Sequence, residues 1–135
     1  MKEFDVVAAI IECNGKLLCM QRNVSKYKYV SEKFEFPGGK VEQGESYPQA
    51  LMRELLEEIE MQTDVDESNY FMTTHFVYPD FSITLHTYRL RVDEPHFVLR
   101  EHLSYVWALP KDMSKLDWAP ADKEIVDALI GGTNG

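Results

Sequence analysis

Three glutamates, Glu54, Glu57 and Glu58, follow Arg53 in the run R-E-L-L-E-E. A spacing of three and four residues puts all three on one side of a helix. At about 100° per residue they fall beside the apolar stripe of Leu51, Leu55 and Ile59, which Met52 and Leu56 extend. Like charges so placed repel across a helix surface. Carboxylates gathered at the edge of a buried surface can hold a hard cation such as magnesium, which takes oxygen ligands. That cation can bridge an acidic protein to a phosphate group. Glu45, at the loop–helix junction, can hold Arg53 through two parallel hydrogen bonds. Gly38-Gly39 lies just ahead, a backbone that can approach a ligand closely and offer a carbonyl. A solvated charged helix is the plainer account of the glutamates alone; Gly38, Gly39 and Glu45 shift the reading toward a metal and phosphate site.

Elements that could position these groups are legible around them. Phe4 to Cys13 reads as a strand buried on both faces. Asn14-Gly15 is a two-residue hairpin turn into a partner strand over Lys16 to Arg22. A polar loop with Arg22, Lys26, Lys28 and Lys33 leads to the short strand Phe34 to Phe36, ended by Pro37-Gly38-Gly39. Ser46 and Gln49 form a capping-box pattern, which predicts a helix to about Met61. Tyr70 to Val77, Ile83 to Val92 and Ser104 to Leu109 read as strands, and Ala121 to Ile130 as a helix. The order predicts one α/β domain over residues 1–130, a sandwich with a mixed sheet, and a frayed glycine-rich tail over 131–135.

Composition bounds the rest. The chain has 135 residues, 44% hydrophobic and 27% charged, with a net charge of -9. Such acidity argues against a phosphate-binding surface for a nucleic acid polymer, but not against a small phosphate ligand. No apolar run reaches membrane-helix length, and the N-terminus lacks the pattern of a signal peptide. No membrane partner and a cytoplasmic location are the expectations. Cys13 and Cys19 read as core residues rather than a disulfide framework. His75, His86, His96 and His102 show no metal-ligand spacing. Oligomeric state is open.

The stretch from Gly39 through Glu45 and Arg53-Glu54 to Glu57-Glu58 resembles the Nudix box, with Glu60 where the box has glycine. That substitution puts the helix end in question more than the metal site. F-E-F-P-G-G-K, Tyr78-Pro79-Asp80 and Ala119-Pro120-Ala121-Asp122 extend the resemblance to the MutT-type branch of small nucleotide hydrolases. The resemblance implies an α/β/α sandwich and hydrolysis of a nucleoside triphosphate to the monophosphate and pyrophosphate. It implies magnesium, with manganese as a substitute, held by Glu54, Glu57 and Glu58, with the Gly39 backbone as a further ligand. It also implies Glu54 as general base, Glu45 and Arg53 as an orienting pair, and Glu101 near the metal or its water.

For the substrate, the resemblance points to Arg22, Tyr78 and Asp80. Lys40 could touch phosphate, and Phe36 or Tyr78 could flank a base. Asp122 would start the last helix, where aspartate is favoured for structural reasons alone. The A-P-A-D form resembles the CTP pyrophosphohydrolase branch. A carboxylate there accepts a hydrogen bond from an exocyclic amino group such as cytosine N4. Adenine N6 or the guanine N1/N2 edge could satisfy it too; the A-P-A-D resemblance makes CTP, dCTP or a modified cytosine nucleotide the small-molecule partner expected. An oxidised-purine nucleotide hydrolase and a non-catalytic nucleotide sensor are the alternatives.

Overall fold

The computed structural model describes residues 1–132. In chain order the strands and helices are β1 (Lys2–Cys13), β2 (Lys16–Gln21), β3 (Phe34–Glu35), β4 (Gly38–Lys40), α1 (Tyr47–Ile59), β5 (Tyr70–Val77), β6 (Phe81–Arg91), β7 (Ser104–Ala108) and α2 (Pro120–Gly132). Short 3₁₀ segments cover Glu67–Asn69 and Pro110–Lys115. The sheet is mixed, in the order β3-β2-β1-β6-β5, with β4 added to β1 and β7 to β2. β1 and β6 run parallel from Lys2↔Phe81 to Glu12↔Arg91, while the other pairings are antiparallel. Asn14 and Gly15 both take positive φ, as the β1–β2 turn requires.

Period-two alternation along β1 builds two cores. Val7, Ala9 and Ile11 face Ala50, Leu51, Leu55 and Ile59 of α1. Ala8 and Ile10 face the other way, onto Ile125, Val126 and Leu129 of α2 with Trp118 and Met113. A strand buried on both faces needs no polar alternation, which is why its sequence is a continuous apolar run. The α/β/α sandwich follows from this two-sided burial.

Several boundaries differ from the sequence reading. Gly38–Lys40 is a strand rather than a strand terminator: it pairs with β1 through Ala8↔Gly38, Val7↔Gly39 and Val6↔Lys40. A Cβ on Gly38 would lie 2.7 Å from the Ala8 Cα and 2.9 Å from the Val7 carbonyl carbon, so only glycine permits this approach. Leu56 does not extend the buried stripe; it is 54% exposed. One residue on from Leu55 it is rotated away from the sheet, which covers Ala50, Leu51, Leu55 and Ile59 and packs against Met52. The helix stops at Ile59. Glu60 takes the left-handed conformation (φ 53°) and its N–H closes onto the carbonyls of Leu55 and Leu56. The terminus thus forms as a glycine would form it, with glutamate bearing the strain. α2 runs through Gly132, so Gly131 is helical where a frayed tail was expected; residues 133–135 lie outside the described residues. Cys19 is buried, as expected, and Cys13 is half-buried at the end of β1.

Candidate active site

α1 is cut to place its carboxylates. Ser46 caps it by accepting from the Gln49 N–H, and the Gln49 side chain accepts from the Ser46 N–H in return. Leu51, Leu55 and Ile59, all fully buried, fix its rotation against β1. That rotation turns Glu54 and Glu58 toward β4 and one cleft of 690 Å³. Glu57 lies on the outer side, with its side chain 60% exposed.

Arg53 ties these groups to the preceding loop. Its Nε and Nη2 donate to Glu45 Oε2 and Oε1 at 2.7 and 2.9 Å, the two-bond pairing expected. Nη1 donates to Glu54 at 2.9 Å and to Glu57 at 3.1 Å, and Nη2 also reaches the Lys40 carbonyl at 3.0 Å. Glu45 in turn accepts from the Glu42 N–H. The Arg53 guanidinium holds the Glu45 carboxyl down at about 2. Glu58 is opposite in character. Burial, then the charges of Glu35, Glu54 and Glu101, push its carboxyl up to about 8. Its Oε2 is buried with no hydrogen-bond partner. Burial also raises Glu54, against the pull of Arg53.

These features fit a divalent cation. The donors are all oxygen, and a cation would satisfy the orphaned Glu58 oxygen and relieve the repulsion around it. Among the described residues no three acidic, imidazole or thiol side chains already stand as a metal cluster. Arg53 holds Glu54 and Glu57 in ion pairs that a cation would have to share. Gly39 borders the Glu54 carboxylate so closely that a Cβ would fall on it. Gly39→Ala should therefore leave the unfolding midpoint nearly unchanged, because only a flexible chain end must move. It should lower turnover by about 10²-fold through the displaced carboxylate, measured as pyrophosphate release.

The cleft brings Arg22, Phe36, Gly39, Lys40, Glu54, Glu58, Tyr78, Asp80 and Asp122 to one surface. Glu45, Arg53, Glu57 and Glu101 stand outside its lining. Glu101 is exposed, though its charge reaches Glu54 and Glu58. Lys40 lays its ammonium over the Phe4 ring at 4.0 Å. Asp80 accepts from the Tyr29 hydroxyl at 2.6 Å, which joins two loops. Tyr78 stacks on Tyr29, and its hydroxyl oxygen accepts from the Ala121 N–H at 3.0 Å. Asp122 is 6% exposed and accepts from the Phe36 N–H at 3.4 Å. Burial and the Glu35 charge raise its carboxyl well above the usual range. Sequence reasoning missed Glu35, which lines the cleft between the carboxylate helix and Asp122. A charged residue between Phe34 and Phe36, directly before Pro37-Gly38-Gly39, was the available signal.

Residues 1–129 match the model of the NUDIX domain. The chain belongs to the Nudix family. It is similar to the CTP pyrophosphohydrolase of Escherichia coli (strain K12), 37% identical over 132 residues that cover 96% of this chain and 93% of that one. An 8-oxo-dGTP diphosphatase of Buchnera aphidicola subsp. Acyrthosiphon pisum (strain APS) is 31% identical over 78% of this chain and 84% of its own. The crystal structure of a MutT protein from Methanosarcina mazei Go1 superposes with a TM-score of 0.84 over 99% of this chain and 97% of that chain, at 19% identity, and bears out the fold. The chain is thus a Nudix hydrolase, of a family that acts on small nucleotides and generally uses divalent metal ions. Among the described residues no helix of this Nudix protein is long and apolar enough to cross a membrane.

Proposed function

We propose that this Nudix hydrolase is a magnesium-dependent pyrophosphohydrolase of the cytoplasm that converts CTP, dCTP or a modified cytosine nucleotide, with water, to the monophosphate and pyrophosphate. The observation that carries the reading is the buried Asp122 carboxyl in the same cleft as the carboxylate helix. An ionised carboxylate only accepts hydrogen bonds, whereas a protonated one also donates. Burial favours the protonated form at Asp122. That form matches an edge with an acceptor beside an amino donor, as cytosine N3 and N4 present. Guanine N1 and N2 are both donors and suit the ionised form, which burial opposes. Adenine shares the acceptor–donor pattern, and the 37% identity to a CTP pyrophosphohydrolase favours cytosine over it.

Glu54, Glu57 and Glu58 with the Gly39 carbonyl would hold magnesium or manganese, with Glu101 as a further contact. The metal would supply charge neutralisation along the triphosphate. Glu54 takes the proton of the attacking water, since it lies in the cleft and Arg53 orients its carboxylate. Glu45 holds Arg53 in turn. Lys40 and Arg22 face the anionic substrate, and Phe36 and Tyr78 wall the base. Asp80 acts through Tyr29 on the position of Tyr78.

Pyrophosphate release with magnesium across ribo- and deoxynucleotides, modified dCTPs and oxidised dGTP tests this reading. Preferred release from a cytosine nucleotide is the expected result; preference for oxidised dGTP would transfer the reading to the oxidised-purine hydrolases. Asp122→Ala, which removes both the donor and the acceptor, should lower kcat/KM for the preferred cytosine nucleotide by about ten- to a hundredfold relative to the other bases, whereas Asp122→Asn, whose amide keeps both, should retain the cytosine preference. Equal losses on every nucleotide would remove Asp122 from base selection.

A further inference from the structure

Two buried polar atoms near the base end of the cleft have no hydrogen-bond partner: Nδ1 of His102 and Nε of Arg22. Both residues meet on Glu35. Arg22 Nη1 donates to Glu35 Oε1 at 2.9 Å, and His102 Nε2 pairs with Glu35 Oε2 at 3.0 Å. A carboxylate has no proton to give, so Nε2 carries the one in that second bond. The His102 side chain is 4% exposed and does not line the cleft, whereas Glu35 and Arg22 do.

Arg22 directly follows β2, Glu35 lies in β3, which pairs with one edge of β2, and His102 just precedes β7, which pairs with the other. Glu35 lies opposite Met20, and Ser104, two residues after His102, lies opposite Gln21. Gln21 clasps both sides: its Nε2 donates to the Glu32 carbonyl, its Oε1 accepts from the Ser104 hydroxyl, and its carbonyl accepts from the Leu103 N–H. The chain that carries the histidine is therefore anchored by the two residues that follow it. A trio that leaves two buried polar atoms unpaired is a poor choice for stability alone. It suits a site where a guanidinium must face a ligand from a set position.

We infer that His102 is a positioning residue for nucleotide binding: its Nε2–H fixes Glu35, and Glu35 fixes the Arg22 guanidinium at the Asp122 end of the cleft. The inference rests on the nucleotide reading above. Calorimetric titration with CMP, AMP, GMP and UMP, in chelator so that no metal takes part, separates the two. His102→Ala should weaken the tightest of the four by roughly tenfold. His102→Gln, whose amide N–H can reach Glu35, should recover affinity to within about threefold of wild type. If His102→Ala does not fold, the shorter His102→Asn takes its place, with the same expected loss. Folded His102→Ala that binds as wild type does, or a loss that glutamine fails to recover, overturns the inference and leaves the hydrolase reading standing. Wild-type protein that binds none of the four overturns the inference together with that reading.

Discussion

Glu58→Gln should cripple turnover while making the metal-free protein more stable at pH 8. The Glu58 carboxyl is largely buried beside the Gly38 backbone of β4, faces the charges of Glu35, Glu54 and Glu101, and leaves Oε2 unpaired. Its folded-state pKa of about 8 stands above the ordinary 4.5. The native state therefore binds more protons than the unfolded state between those values, and stability falls as pH rises through that window. Below pH 4.5 the penalty is absent, and above pH 8 it is complete. Glutamine carries no charge to bury, so the variant should gain roughly 1–3 kcal/mol at pH 8 in chelator and nothing at pH 4.5. Denaturant titrations at the two pH values check this. Saturating magnesium should restore the wild type and leave the variant unmoved. Turnover should drop by about 10²–10⁴-fold, the range that one positioned acid–base or charge-bearing group supplies. A variant less stable than wild type at pH 8 would show that Glu58 serves packing instead.

Arg53→Lys should damage both fold and function, although it keeps the charge. The guanidinium makes five contacts in one plane: two to Glu45, one each to Glu54 and Glu57, and one to the Lys40 carbonyl. An ammonium cannot reproduce that fork. Loss of the orienting contacts should cost activity about 10- to 100-fold and lower the unfolding midpoint. The acid limb gives a separate signature. Because Arg53 depresses the Glu45 pKa to about 2, the pair stabilises the fold above the ordinary value of 4.5, and that stability is lost as pH falls toward 2. In Arg53→Lys this acid-dependent loss should shrink, as thermal unfolding between pH 2 and 5 would reveal. An unchanged acid limb would mean that Glu45 is held by the Glu42 N–H rather than by Arg53.

Local pattern carried the parts of the site that depend on local geometry. The i, i+3, i+4 spacing of Glu54, Glu57 and Glu58, the Ser46–Gln49 cap and the Glu45–Arg53 pair all lie within about four helical turns, and the chain has little choice about their relative placement. The Asn14-Gly15 turn is local for the same reason. Leu56 escaped because periodicity gives an angle on the helix, while the width of the covering sheet decides what is buried. The β4 strand escaped because its pairing is with residues some thirty positions away, through a contact that the missing Cβ of Gly38 allows.

The carboxylate helix and its cap were legible in spacing alone, and the acidic balance argued against a nucleic acid polymer as partner. Tertiary structure alone decided which carboxylates are desolvated. Glu58 and Asp122 are both acids near helix ends or edges in the sequence, yet folding strips water from them and brings Glu35 close to both. Their protonation is a property of that shared burial, set by elements from β3, α1 and α2. Arg22, Glu35 and His102 likewise meet only when β2 is flanked by β3 on one edge and β7 on the other. Spacing along the chain fixes angles over a few residues; desolvation and charge proximity depend on every element packed around a group, and no local pattern encodes that sum.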